Sequence, residues 1–282
     1  MSSEVTVNGI TVGYEDTGAY RADLAPLVLV HGHPFDRSMW APQLAAVAAT
    51  GRRVIAPDLR GYGESTVVPG VVTLTDHARD IAALLDALGV KRPVLGGLSM
   101  GGQIVMEFQR LFPGRAAGLV LADTSAAAET EDGKTWRRAL ADRLLAEGMD
   151  GYAHEALPRM MAPYNVQALP SVAAHVLRMM RGTHPEGAAA ALRGRALRPD
   201  YRATLAGVAV PTLVLVGADD EFTPVIDAQD IKVRVAGARL AVIPGAGHLP
   251  NLERPADVDA ALADFLATLP TPVAAQPSTG NS

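Results

Sequence analysis

Val94-Leu95-Gly96-Gly97-Leu98-Ser99-Met100-Gly101-Gly102 is the stretch whose reading decides the fold. A short apolar run enters, a serine stands between glycines, and a helical pattern (Gln103-Ile104-Val105-Met106-Glu107-Phe108) leaves. This is a strand, a sharp turn and a helix, with Ser99 at the apex. The five residues from Gly97 to Gly101 fit G-x-S-x-G, in which the serine is held in a strained backbone conformation. The glycines two residues away on either side pass so close that a Cβ would clash. The turn exposes the hydroxyl and sets the next N–H at a helix start, where partial positive charge favours an anion. In a chain with 27 glycines the motif needs support from elsewhere.

The 282 residues, 49% hydrophobic and 20% charged, suffice for a large core. The net charge of −5 and the lack of a basic run interleaved with aromatics speak against nucleic-acid binding. With no cysteine there can be no disulfide, thiolate catalysis or cysteine-ligated metal. The segment Met1-Ser2-Ser3-Glu4-Val5 lacks a charged and an apolar leader region, and no apolar stretch is long enough for a bilayer span. A cytoplasmic protein with no membrane partner is expected.

Asn8-Gly9, flanked by alternating branched residues, predicts a hairpin over Val5–Tyr14. Continuous apolar runs predict buried strands at Pro26–Val30, Arg53–Asp58, Val94–Leu98, Leu119–Thr124, Pro211–Gly217 and Leu240–Pro244. Helical periodicity predicts helices through Trp40, Leu44 and Val47, over Thr75–Leu88, and over Pro255–Leu269. Between Ser125 and about Leu205 only helical stretches appear, broken by prolines. Residues 1–125 and 206–270 are therefore expected to form an α/β core, 126–205 a helical insertion, and 271–282 a disordered tail. Strand–helix alternation implies a mostly parallel sheet with helices on both faces, and ligands in such sheets bind beyond the strands' carboxyl ends. The suspicious motifs all stand there.

A serine needs a base, and the base an orienting acid. His248, in Gly245-Ala246-Gly247-His248-Leu249-Pro250, follows the last strand in a glycine-rich loop that can reach over the sheet edge. Asp219 and Asp220 follow the preceding strand, and Asp123 also ends one; composition does not choose among them. For an oxyanion, the N–H of Met100 and that of His33, in His31-Gly32-His33-Pro34, are the candidate donors. His31 is expected to bond loop backbone. No His–carboxylate cluster has metal spacing, so neither a metal nor a cofactor is expected.

In its motifs the chain closely resembles the α/β-hydrolase superfamily, specifically the small cap-bearing serine esterases. That group includes bacterial carboxylesterases, cofactor-free haloperoxidase- or perhydrolase-like enzymes and 3-oxoadipate enol-lactonases. The resemblance is carried by His31–Pro34, Asp58-Leu59-Arg60-Gly61-Tyr62-Gly63-Glu64-Ser65, Gly97–Gly101, Asp220–Pro224, and Gly247-His248 with Glu253-Arg254-Pro255. It implies a mainly eight-stranded sheet under a helical cap, Ser99 as nucleophile, His248 as base and Asp220 as acid, since the family's acid stands four residues before the proline of G-x-x-D-x-x-x-P. It also implies fold-supporting roles for Asp58 and Arg60. An aspartate at the elbow would mean epoxide opening or carbon–halogen cleavage; Ser99 argues against both. The expected reaction is hydrolysis of small to medium carboxylic esters through an acyl-enzyme. The same triad would serve a lactonase, a perhydrolase or a carbon–carbon bond hydrolase, and a ligand-binding receptor is the non-enzymatic alternative. Candidate pocket residues are Phe35, Trp136, Tyr152, Met160, Met161, Tyr164, Met179, Phe222 and Leu249. The insertion's Arg137, Arg138, Arg159, Arg178, Arg181, Arg193 and Arg195 could meet an anionic substrate, although most are expected to face solvent.

Overall fold

In the computed structural model, residues 2–18, 21 and 23–270 are described, so the expectation for 271–282 lies outside them. The first hairpin pairs β1 (Ser2–Val7) with β2 (Ile10–Asp16) around Asn8 and Gly9, whose φ values of 48° and 75° match a turn compatible with strand twist. Then come β3 (Leu27–Val30), α1 (Ala41–Ala48), β4 (Val54–Pro57), α2 (Leu74–Ala87), β5 (Val94–Leu98), α3 (Met100–Leu111) and β6 (Gly118–Ala122). Six helices follow before the next strand, the first five being α4 (Glu131–Glu147), α5 (Asp150–Met160), α6 (Pro163–Ala168), α7 (Pro170–Gly182) and α8 (Pro185–Arg195). The chain closes through α9 (Arg202–Ala206), β7 (Thr212–Gly217), α10 (Val225–Arg234), β8 (Arg239–Ile243), α11 (Pro250–Glu253) and α12 (Pro255–Ala267).

The strands form one eight-stranded sheet in the order β1-β2-β4-β3-β5-β6-β7-β8. Only the pairings of β2 with β1 and with β4 are antiparallel; the others are parallel. The two-residue period of the strands sorts their side chains into two cores. Val28, Val30, Leu95, Leu119 and Leu121 point to α2, α3 and α10, while Leu27, Leu29, Val94, Val120 and Ala122 point to α1 and α12. Continuous apolar runs are thus what a strand needs when both its faces are covered. At the edge, β8 is half exposed, as one missing neighbour dictates.

Helix starts follow local chemistry. Thr73 accepts the N–H of Asp76 while the Asp76 carboxylate accepts that of Thr73, a reciprocal cap that begins α2 at Leu74. One turn along, His77 is fully buried, and neither ring nitrogen has a hydrogen-bond partner among the described residues. Burial, helped by His31 and Arg60, pulls its pKa down to about 3. The unfolded chain therefore binds this proton more readily, and the penalty appears as pH falls from about 6.5 toward 3. His77→Leu is expected to stabilise the fold by about 1–3 kcal/mol by removing two unmet polar atoms. Its gain in Tm over the parent should widen from pH 7 to pH 4.5; a gap independent of pH would refute this.

Candidate active site

β5 lies at the sheet centre and hands the chain to α3 through Ser99, whose φ of 56° and ψ of −115° are the strained conformation expected of the motif. The flanking glycines explain how. A Cβ on Gly97 would lie 2.3 Å from the Gly101 carbonyl, and one on Gly101 would lie 2.2 Å from the Val30 carbonyl oxygen. The turn is locked by the Ser99 N–H donating to Ala122 O (2.9 Å) and the Thr124 hydroxyl donating to Ser99 O (2.7 Å).

His248 stands after β8 and is 2% exposed; its Nδ1 lies 2.8 Å from Asp220 Oδ2. The Asp220 carboxylate is held by the N–H groups of Phe222 (2.8 Å) and Thr223 (3.2 Å) and by the Thr223 hydroxyl (2.7 Å). Burial opposes its charge, but His248 and these donors prevail and keep its pKa below the usual value. Asp219 instead faces outward and accepts the Tyr164 hydroxyl. Asp123 is buried beside Asp220, with a φ of 43°, Oδ1 accepting Gly217 N–H (2.8 Å) and Oδ2 unmet. Burial first, then the Asp220 charge, raises its pKa well above the usual carboxylate range. Ligand atoms of Asp123, Asp220 and His248 lie within 4.8 Å of one another. The 2.8 Å contact between His248 and Asp220 is a hydrogen bond, tighter than two ligands about 2 Å from one tetrahedral ion would sit.

The loop after β3 comes up against the elbow: a Cβ on Gly32 would lie 3.3 Å from that of Ser99. Neither His33 N–H nor Met100 N–H is committed to a partner among the described residues. The His33 imidazole is fixed by Tyr62, whose hydroxyl lies 2.8 Å from Nδ1. His31 does bond loop backbone, its Nε2 accepting Leu59 N–H at 2.9 Å. Asp58 accepts the N–H groups of Arg37 and Glu64 (2.8 Å each), and Arg60 forks onto Asp80, so both brace loops.

Ser99 and His248 line one cavity of about 190 Å³ beneath α4, α5 and α8, together with His33. Trp136, Tyr152, Met160 and Phe222 line it as well. Of the other pocket candidates, Phe35, Met161, Met179 and Leu249 are buried in the core rather than on this wall, and Tyr164 is 53% exposed. A larger cavity of about 330 Å³ lies at the amino ends of β3 and β4, among Ala25, Arg52 and Leu266, and holds no histidine. That is the wrong end of a parallel sheet for chemistry.

The profile of the family described as "Alpha/beta hydrolase family" matches residues 27–261. The chain belongs to this family. It is 30% identical to 3-oxoadipate enol-lactonase 1 of Acinetobacter baylyi over 78% of this chain and 80% of that protein. It superposes on a thermophilic esterase from Thermogutta terrifontis, solved with malate bound, with a TM-score of 0.90 and 39% identity, covering 96% of this chain and 100% of that one. The enol-lactonase of Burkholderia xenovorans LB400 is similar too, with a TM-score of 0.86 and 29% identity over 94% of this chain and 100% of that one. No helix among the described residues is long and apolar enough to cross a membrane.

Several groups of this alpha/beta hydrolase's site were beyond sequence reasoning. Glu253, quoted above only as part of a motif, accepts N–H groups from Gly247 (2.9 Å) and Ala162 (2.9 Å) and the amide of Asn165 (2.7 Å). It thereby ties the His248 loop to the helical segment. Gln103, Glu129 and Arg198 line the cavity, as do two of the seven arginines considered above, Arg137 and Arg195. Gln103 had one signal: it stands four residues after Ser99, so both lie on one helix face.

Proposed function

We propose that the protein is a serine hydrolase of small to medium carboxylic esters, lactones included, acting through an acyl-enzyme on Ser99. The observation that carries this reading is a strained, buried serine sharing a small cavity with a histidine whose Nδ1 is bonded to a buried aspartate. Asp220 holds His248 so that Nε2 accepts the Ser99 proton as Oγ attacks the carbonyl carbon. The oxyanion sits on the N–H groups of His33 and Met100. As the tetrahedral adduct collapses, the C–O bond breaks and the alcohol leaves with the proton from His248. Water, deprotonated by His248, then cleaves the acyl-serine and frees the acid. In a lactone the leaving alcohol remains tethered to the acid. Residues 126–205 act as a cap that walls this cavity, with 1–125 and 206–270 as the core.

Kinship supports the chemistry, since the similar proteins include an esterase and enol-lactonases. The test is a fluorophosphonate that esterifies activated serines, applied during p-nitrophenyl acetate hydrolysis. Loss of activity with one adduct, located by mass spectrometry on the peptide holding Ser99, is expected. Hydrolysis that survives, or an adduct elsewhere, would overturn the reading. Ligand binding with no turnover of any ester from acetate to decanoate would point to the receptor alternative.

A further inference from the structure

The cavity over Ser99 has more positive charge than the protein itself neutralises. Three guanidinium groups line it, those of Arg137, Arg195 and Arg198, against one carboxylate, that of Glu129. Glu129 is already engaged by two of them: Arg137 Nε donates to it, and Arg198 does so at 2.7 Å. Arg195 is left out. It is 8% exposed, its Nε donates to the neutral amide oxygen of Gln103 at 3.1 Å, and no carboxylate of the described residues pairs with it. Its two terminal amino groups have no hydrogen-bond partner among the described residues.

A buried guanidinium with no carboxylate in direct contact is costly, because its lost hydration is only partly replaced. Burial first, then Arg137 and Arg198, work against its charged form, and the Glu129 carboxylate, which favours it, is a smaller influence than any of the three. An anion in the cavity would relieve both effects. The position is also a fixed one. Gln103 stands one helical turn beyond Ser99, and its N–H donates to Ser99 O at 3.1 Å, so the bond from Arg195 to Gln103 ties the cation to the elbow. Local rules broken in this way mark functional positions more often than structural ones.

We propose that Arg195, with Arg137 beside it, binds a free carboxylate of the substrate, so that the ester cleaved is a half-ester or lactone of a small dicarboxylic acid. This rests on the reading of Ser99 as the nucleophile. A planar carboxylate matches the paired donors of a guanidinium fork, and a cavity of about 190 Å³ limits the acid to a few carbons. Gln103 is a positioning residue, acting through Arg195.

The test compares kcat/KM for monomethyl glutarate with that for methyl pentanoate, its neutral counterpart of nearly equal length, by proton release in a pH-stat. The parent is expected to favour the anionic ester by at least about 10-fold, and Arg195→Met to lower that ratio by about 10- to 100-fold. Arg195→Lys should restore part of it, and a thermal melt of each variant checks folding. Glutarate should compete with methyl pentanoate in the parent more strongly than in Arg195→Met. A parent that prefers methyl pentanoate, a ratio unmoved by Arg195→Met, or inhibition by inorganic phosphate but not by glutarate would overturn the carboxylate subsite alone. Absence of Ser99-dependent turnover of both esters would overturn the reading beneath it.

Discussion

Ser99→Ala is expected to lower kcat/KM for p-nitrophenyl acetate by about 10⁵-fold, with the fold intact. Oγ is the only atom removed, and the strain at φ 56° belongs to the backbone, so the elbow keeps its hydrogen bonds to Ala122 and Thr124. His248→Ala should cost about as much, and the double variant little more, because in the proposed mechanism nucleophile and base act as one unit. What remains would be the contribution of the two N–H donors and of binding. Purified variants assayed at substrate concentrations well below KM, with a thermal melt beside each, decide it. A Ser99→Ala protein within 10-fold of the parent would require another nucleophile.

The second large effect is split between two carboxylates. Asp220→Asn is expected to lower kcat/KM by about 10³-fold, less than the roughly 10⁴-fold typical when the only orienting carboxylate becomes an amide. The difference is Asp123, buried against Asp220, whose pKa burial and that neighbour's charge raise well above the usual carboxylate range. Once Asp220 is neutral, Asp123 loses the charge that, after burial, does most to raise its pKa. It can then ionise and orient His248. Residual activity of Asp220→Asn should therefore rise with pH as Asp123 deprotonates. Adding Asp123→Asn should remove both the rise and about another 10-fold. Equal activities for the single and double variants across the pH range would show that Asp123 takes no part.

Much of the fold was legible because the signals were local and repetitive. A strand covered on both faces must be apolar throughout, and an elbow on whose glycines a Cβ would lie 2.3 Å or less from opposing backbone cannot carry side chains there. Strand order was less legible, since β4 enters the sheet between β2 and β3 through crossovers that leave no mark on any one segment. At the site, residues placed by a motif came together: Ser99, His248, Asp220, and the loop of His33. Residues chosen only for being apolar scattered. Phe35, Met179 and Leu249 pack in the core while Trp136, Tyr152, Met160 and Phe222 reach the cavity, because apolar character asks for burial without naming what the side chain meets.

By itself the sequence determined the alternation of strands and helices, the break in that alternation after Thr124, and the serine at the apex of a strained turn. These follow from side-chain period and from steric exclusion, which act within a few residues. Composition left Asp219 and Asp220 open and the resemblance favoured Asp220; the tertiary structure supplies the physical reason, since one residue of turn sends one carboxylate to solvent and the other to His248. Only it set Asp123 against Asp220 in the interior, and Arg195 in the cavity of Ser99 with no carboxylate of the described residues in direct contact. Those are matters of which charges face one another across segments far apart in the chain, and a charge cannot be read as paired or unpaired until the fold has chosen its neighbours.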